Sequence, residues 1–298
     1  MNLLITGAWQ FREETLLKIY EHGHEVCIMP MESSALPCPG EWVEGVICNC
    51  LFLHHSLDEF PNLRFIQLTS AGFDRIPMDE IQNRGIGLCN ARGVYSIPMA
   101  EFALAGVLHL YKQMPFFQRN KASHIWEKHR GIMELHDKCV CIIGCGSVGQ
   151  SCALAFSALG CQIIGVDIVS FSVDSFSHIY SLDQLDNVLP DADIVLLCLP
   201  YTQETDHLFD MERFTYMKDG SVFVNISRGK IVDTDALINA LQCKLMGAVL
   251  DVFEEEPLDK EPPLWDMENV VLTPHNSFVG DGNSHRLDSL IISNLGIL

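Results

Sequence analysis

Apolar residues in this chain come in short unbroken runs, set apart by amphipathic stretches or by turn residues. The run Ile194-Val195-Leu196-Leu197-Cys198-Leu199 is the plainest case. A strand apolar at every position has both faces buried, which marks a parallel sheet covered by helices on either side. Comparable runs at 140–143, 163–167, 222–226, 247–252 and 270–273 bring the predicted strands in the middle of the chain to six. Helical segments separate them, so the pattern predicts a doubly wound α/β sheet. The first third repeats the theme on a smaller scale. Strands are predicted at 3–6, 26–29, 45–50, 64–69 and 86–90, with a helix over 13–22 that stops at Gly23. A longer apolar helix runs from Ser96 to about Tyr111, with Pro98 in its first turn.

One strand runs into a glycine turn that opens a helix: Cys141-Ile142-Ile143-Gly144-Cys145-Gly146-Ser147-Val148-Gly149. Gly144, Gly146 and Gly149 fit G-x-G-x-x-G. The first glycine allows a tight turn, the second lets backbone N–H groups approach a pyrophosphate, and the third lets helix and strand pack closely. Phosphates would rest on the positive end of the helix starting near Ser147. The next strand ends in Asp167, about 18 positions beyond Gly149, where a carboxylate takes ribose hydroxyls. No Lys or Arg occurs between Lys138 and Arg213, so only His178 could meet a 2′-phosphate there. The expected cofactor is NAD rather than NADP.

Composition narrows the classes. A chain of 298 residues, 48% hydrophobic, predicts two domains with substantial cores. A formal net charge of −20 argues against nucleic acid and anionic membrane surfaces as partners. The start, Met1-Asn2-Leu3-Leu4-Ile5-Thr6-Gly7, reads as a strand rather than a signal peptide, and no apolar span is long enough to cross a bilayer. The expected location is the cytoplasm. Twelve cysteines show no secreted disulfide pattern and no paired C-x-x-C, so buried reduced thiols are expected and no metal site.

Ligands bind outside the carboxyl ends of the strands of such a sheet. Pro200, Ser227, Asp251 and His275 all fall just past predicted strand ends and are expected to converge on one crevice with the Gly144 turn. Three segments there carry the candidate chemistry: Asn225-Ile226-Ser227-Arg228-Gly229, Leu250-Asp251-Val252-Phe253 with Glu254-Glu255-Glu256-Pro257, and Thr273-Pro274-His275-Asn276.

Together with Thr69-Ser70-Ala71-Gly72-Phe73-Asp74 and the Gly144 turn, these motifs make the chain resemble the NAD-dependent, D-isomer-specific 2-hydroxyacid dehydrogenases, from about Leu63 almost to the end. The stretch Gly93-Val94-Tyr95-Ser96 with Ala100-Glu101 is most similar to the glyoxylate/hydroxypyruvate reductase branch. The resemblance implies a hydride transfer between NAD(H) and a small 2-oxo acid or D-2-hydroxy acid, with Arg228, Glu256 and His275 in the catalytic positions. The chemistry agrees. Histidine supplies a proton near neutral pH, a guanidinium grips a carboxylate bidentately, and a carboxylate beside an imidazole favours and orients its protonated form. Among the three successive acids, Glu256 is chosen because it precedes Pro257. Ser70, Ala71 and Gly72 would close on the substrate carboxylate. Cofactor contacts would come from Gly144, Gly146, Ser147, Val148, Gly149, Asp167, Leu199, Pro200, Thr205, Ile226 and Asp251, the last of which could equally cap its own loop.

The implied architecture is a Rossmann cofactor domain, 95–276, inserted into a flavodoxin-like substrate domain, 1–94 and 277–298, with the tail returning as a helix. The region 96–130, with Phe116, Phe117, Trp126 and His129, is expected either to form a homodimer contact or to be an ordinary helix and loop. Competing readings are a phosphoglycerate dehydrogenase-like activity, with Arg75 or Arg92 meeting a phosphate, and a non-enzymatic NAD sensor on the same fold. Glu256 in place of Gln argues against formate oxidation.

Overall fold

The computed structural model describes residues 1–168, 172–260 and 263–296. The chain forms two compact units, Met1–Tyr95 with Gly280–Leu298, and Ser96–Val279.

The first unit holds a parallel sheet of β1 (Asn2–Thr6), β2 (Glu25–Met29), β3 (Gly45–Cys48), β4 (Phe65–Leu68) and β5 (Gly87–Cys89), in the order β2-β1-β3-β4-β5. This is the flavodoxin-like order. The predicted helix is Glu13–Glu21, with Glu13 and Glu14 at its positive end, Lys18 near its negative end, and Gly23 at φ +77 beyond it. The terminal helix Asn283–Asn294 presses Leu287, Ile291 and Ile292 onto Leu3, Ile5, Trp9 and Ile19. Its Asp288 is 2% exposed, and the carboxylate accepts bonds from Trp9 Nε1 (2.8 Å), Arg12 Nε (2.8 Å) and Thr15 Oγ1 (2.9 Å). A carboxylate can be held out of water only with such donors around it. The predicted tail helix therefore completes the first unit's core, and residues 297–298 of that tail lie outside the described residues.

The second unit carries β6 (Cys139–Ile143), β7 (Gln162–Asp167), β8 (His178–Ser181), β9 (Ile194–Leu197), β10 (Val222–Asn225), β11 (Gly247–Leu250) and β12 (Val270–Leu272). The order β12-β11-β10-β9-β6-β7-β8 is the doubly wound Rossmann order, with every pairing parallel. The inner strands β9, β10 and β11 are buried along their whole length, as their uninterrupted apolar runs predict. Six strands were expected and the sheet has a seventh, β8. It sits at the edge, pairs on one side only, and its His-Ile-Tyr-Ser sequence lacks the apolar run that signals a doubly covered strand. The helix Ser96–Tyr111 lies so close to the sheet that a Cβ at Gly106 would stand 2.5 Å from Val249 Cγ1.

Register brings the strand ends level. Val166, Ile143, Leu197, Asn225, Leu250 and Leu272 form one row across the sheet. The residues that follow therefore leave the sheet along one edge: Asp167, Gly144, Cys198, Ile226, Asp251 and Thr273.

Candidate active site

The glycine turn follows β6 on that edge. Gly144 lies at φ +95, and a Cβ there would sit 2.6 Å from Leu199 N. A Cβ at Gly149 would stand 2.0 Å from Gly144 O, so helix and turn are in backbone contact. Gly146 differs: a Cβ there meets nothing within 4 Å. Gly146 is also the N-cap of helix Ser147–Ser157 and supplies no side-chain cap, which leaves the first-turn N–H groups to another acceptor. An open cradle of uncapped donors at a positive helix end fits the pyrophosphate of a dinucleotide. Cys145, between the two glycines, is buried, and burial pushes its thiol up to about 12. It stays protonated and serves as packing.

Asp167 accepts Cys145 N–H at 2.7 Å and Ile168 N–H at 2.8 Å, one on each oxygen. It thus braces the glycine turn. A carboxylate has about four acceptor positions, so two remain for hydroxyl donors.

The segments after β11 and β12 build the acid–base pair. Glu256 Oε1 accepts Phe253 N–H at 3.1 Å, and Oε2 lies 2.8 Å from His275 Nδ1. Both side chains are a little over one-third exposed. His275 sits at φ +51, a left-handed backbone that costs a non-glycine residue about 1–3 kcal/mol unless its surroundings hold it. They do: its N–H donates to Asp251 O (2.8 Å) and Thr273 O (3.1 Å).

Asp251 is turned inward. It is fully buried; Oδ1 accepts from Thr273 Oγ1 and Asn276 N–H, both at 2.7 Å, and Oδ2 accepts from Ser277 N–H at 2.9 Å. Of the two readings open for this residue, its surroundings match the loop cap. Thr205, also expected at the cofactor, is 6% exposed, and its hydroxyl bonds Thr202 N and Pro200 O inside the 200–205 turn. Ile226 (1% exposed) and Leu199 (8%) belong to the packed cores, and Leu199 meets the glycine turn through its backbone. Pro200, Ser147 and Val148 retain accessible surface.

Arg228 follows β10 in a loop stapled by Asn225, whose Nδ2 donates to Arg228 O (3.0 Å) and whose Oδ1 accepts from Ser227 N–H and Oγ–H. Arg228 Nη1 donates to Ser227 O at 2.8 Å, and the side chain is part-buried. The loop then lies flat on the acid segment: a Cβ at Gly229 would stand 1.9 Å from Phe253 C. The guanidinium and the imidazole–carboxylate pair thus issue from loops that abut.

Sequence reasoning passed over a second pair. His207 Nε2 lies 2.9 Å from Glu254 Oε2, and Glu254 Oε1 accepts from Thr234 N–H at 2.8 Å and from its hydroxyl. The three successive acids gave no signal of this division of labour, although the alternation of Glu254 and Glu256 allowed it.

In the first unit, Thr69, Ser70 and Ala71 form a bend after β4, and Gly72 follows it. Ala91 N–H donates to Ser70 O (2.9 Å), Asn90 Nδ2 to Ala71 O (2.6 Å), and Ser70 Oγ to Gly72 O (3.1 Å). Tyr95 hydroxyl bonds Thr69 O.

Comparison with known proteins converges on one family. Residues 104–277 match the model described as D-isomer specific 2-hydroxyacid dehydrogenase, NAD binding domain. A glyoxylate reductase of Thermofilum pendens is 33% identical over 80% of this chain and 73% of that one. A glyoxylate reductase of Pyrococcus furiosus is 35% identical over 90% of this chain and 82% of that one. The crystal structure of D-lactate dehydrogenase from Aquifex aeolicus, complexed with NAD and lactic acid, superposes with a TM-score of 0.78 at 26% identity, covering 99% of this chain and 94% of that one. With its glycine turn, its strand-end loops and this agreement, the chain belongs to the D-isomer-specific 2-hydroxyacid dehydrogenase family.

Proposed function

We propose that this NAD-dependent oxidoreductase reduces a small 2-oxo acid, of the glyoxylate, hydroxypyruvate or pyruvate kind, to the D-2-hydroxy acid, with Arg228, Glu256 and His275 as its working side chains. The observation that carries this reading is the 2.8 Å contact of His275 Nδ1 with Glu256 Oε2 on the loops that follow the level strand ends. With Nδ1 committed, Nε2 is the atom that gives a proton to the substrate oxygen on reduction and takes it back on oxidation. Glu256 fixes the ring and favours its charged form. Arg228 holds the substrate carboxylate and polarises the carbonyl, and its fixed fork suits that anion better than a lysine would. Bound NAD(H) supplies or accepts the hydride. The uncapped turn at Gly146 holds its pyrophosphate, and Asp167 takes the ribose hydroxyls while repelling a 2′-phosphate.

The same reading extends to assembly and location. No helix among the described residues is long and apolar enough to cross a membrane, in keeping with a cytoplasmic enzyme. The segment after helix Met114–Ala122 presents Ile125 (52% exposed) and Trp126 (99%) beside Lys121, Lys128 and Arg130. An apolar and basic face on a chain of net charge −20 is complementary to a second copy, which supports a homodimer through this region. Assay of a panel of 2-oxo acids with NADH and with NADPH tests the substrate and cofactor readings. Turnover with NADH on at least one member is expected. NADH binding without turnover on any of them favours the sensor reading.

A further inference from the structure

His207 stands at the crossing of the two loops that carry the working side chains. Its backbone lies in the left-handed region at φ +46. Its N–H donates to Lys230 O at 2.8 Å, two residues beyond Arg228. The chain then pairs alongside the Arg228 loop, with Phe209 N–H on Ile231 O (3.0 Å), Asp233 N–H on Phe209 O (2.9 Å), and a parallel bridge between Phe209 and Val232. On its other side the His207 ring reaches Glu254 at 2.9 Å, two residues before Glu256. Glu254 is also fastened to Thr234, at the start of helix Thr234–Cys243. The two loops touch at Gly229, where backbone meets backbone and no side chain can intervene.

From this geometry we infer that His207 is a positioning residue: with Glu254 it ties the Arg228 loop to the Glu256 segment and so sets the spacing of the guanidinium and the imidazole–carboxylate pair. The inference rests on the proposed roles of Arg228, Glu256 and His275. Among the described residues no hydrogen bond joins His207 to Glu256 or to His275; it acts through the segment 254–256. The left-handed backbone aims the ring across the gap, and an exposed ion pair is a poor stabiliser but an adequate spacer. The pair is close to half-exposed on its histidine side, so its removal disturbs alignment before it disturbs folding.

The test compares His207→Ala with His207→Gln, whose amide nitrogen reaches about as far as imidazole Nε2 and donates to the same carboxylate. In His207→Ala, kcat on glyoxylate with NADH is expected to fall about 10-fold, because sub-ångström misplacement of reacting groups is costly. Its NADH affinity is expected to stay within about twofold and its melting temperature within about 2 °C of the parent, since a surface pair contributes little to stability. His207→Gln is expected to recover most of the lost kcat. The ring ¹⁵N resonances of His275 should shift in the Ala variant and return in the Gln variant, a readout that needs no turnover. Unchanged kcat together with unmoved His275 resonances in His207→Ala overturns the inference. Equal losses in both variants with a lowered melting temperature overturn it too, since that marks a merely structural residue. His275→Ala serves as the control: if it keeps full turnover the site reading fails, whereas a dead His275→Ala beside a fully active His207→Ala sinks the brace alone.

Discussion

Asp251→Asn isolates what holds the histidine loop in place. The carboxylate has no accessible surface and takes three donors, Thr273 Oγ1 and Asn276 N–H on one oxygen and Ser277 N–H on the other. An asparagine of the same shape can keep its oxygen toward the two-donor side. Its amide NH₂ then faces Ser277 N–H across 2.9 Å, donor against donor. One buried bond is lost and one N–H is orphaned, at about 1–3 kcal/mol, and the two surviving bonds lose their charge assistance. The whole perturbation comes to about 2–4 kcal/mol. For a domain of this size each kcal/mol lowers the melting temperature by about 2–4 °C, so a drop of about 5–15 °C is expected by circular dichroism. Because the strain falls between Thr273 and Ser277, the φ +51 backbone of His275 loses part of its support, and kcat should fall by a larger factor than NADH affinity. An Asp251→Asn protein that melts within 1 °C of the parent (about 0.3 kcal/mol on the same scale) and keeps its kcat would refute the assignment of Asp251 as the cap of this loop.

Three further outcomes follow from the geometry. Arg228→Lys should raise KM for the 2-oxo acid by about 10-fold or more with NADH affinity retained, because a lysine cannot form the bidentate fork; unchanged kinetics would remove Arg228 from the site. Gly149→Ala would place a Cβ 2.0 Å from Gly144 O, so NADH binding measured by fluorescence should weaken at least about 10-fold, and parent-like binding would contradict the turn-to-helix contact. The His207–Glu254 pair predicts a pH-dependent share of stability. Hydrogen bonding to Glu254 raises the His207 pKa above 6.5, so its contribution is full below 6.5 and fades as pH rises through the raised value. Burial works to raise the Glu254 pKa, but bonds from Thr234 and His207 outweigh it and hold the value below 4.5, so its contribution is present above 4.5 and fades as pH falls through the lowered value. The urea-midpoint gap between parent and His207→Ala should be wider at pH 5.5 than at pH 8.5, and equal gaps would contradict the pairing.

Much of the architecture was legible because the inner strands are buried on both faces, so β9, β10 and β11 announce themselves as unbroken apolar runs. The edge strand β8 was not, since one covered side demands only Ile179 at full burial. The glycine turn was legible for a related reason: only glycine tolerates φ +95 at Gly144 and backbone contact at Gly149, and residue type alone records that. Polar residues at strand ends were harder to read. Asp251 and Thr205 are of types that suit ligand contacts, but both side chains are buried and bonded to neighbouring backbone and hydroxyl groups, which a sequence does not display. The same blindness hid His207, whose function depends on a left-handed backbone and on a partner 47 positions away.

In the proposed mechanism His275, oriented by Glu256, moves the substrate proton while the cofactor is held elsewhere on the same edge of the sheet. The direct measurement is the steady-state oxidation of NADH by glyoxylate in the parent and in His275→Ala, beside NADH affinity measured without substrate. A fall in kcat of about 10²–10⁴ with NADH affinity within about twofold is predicted. Retained turnover, or parallel loss of turnover and NADH binding, would contradict it.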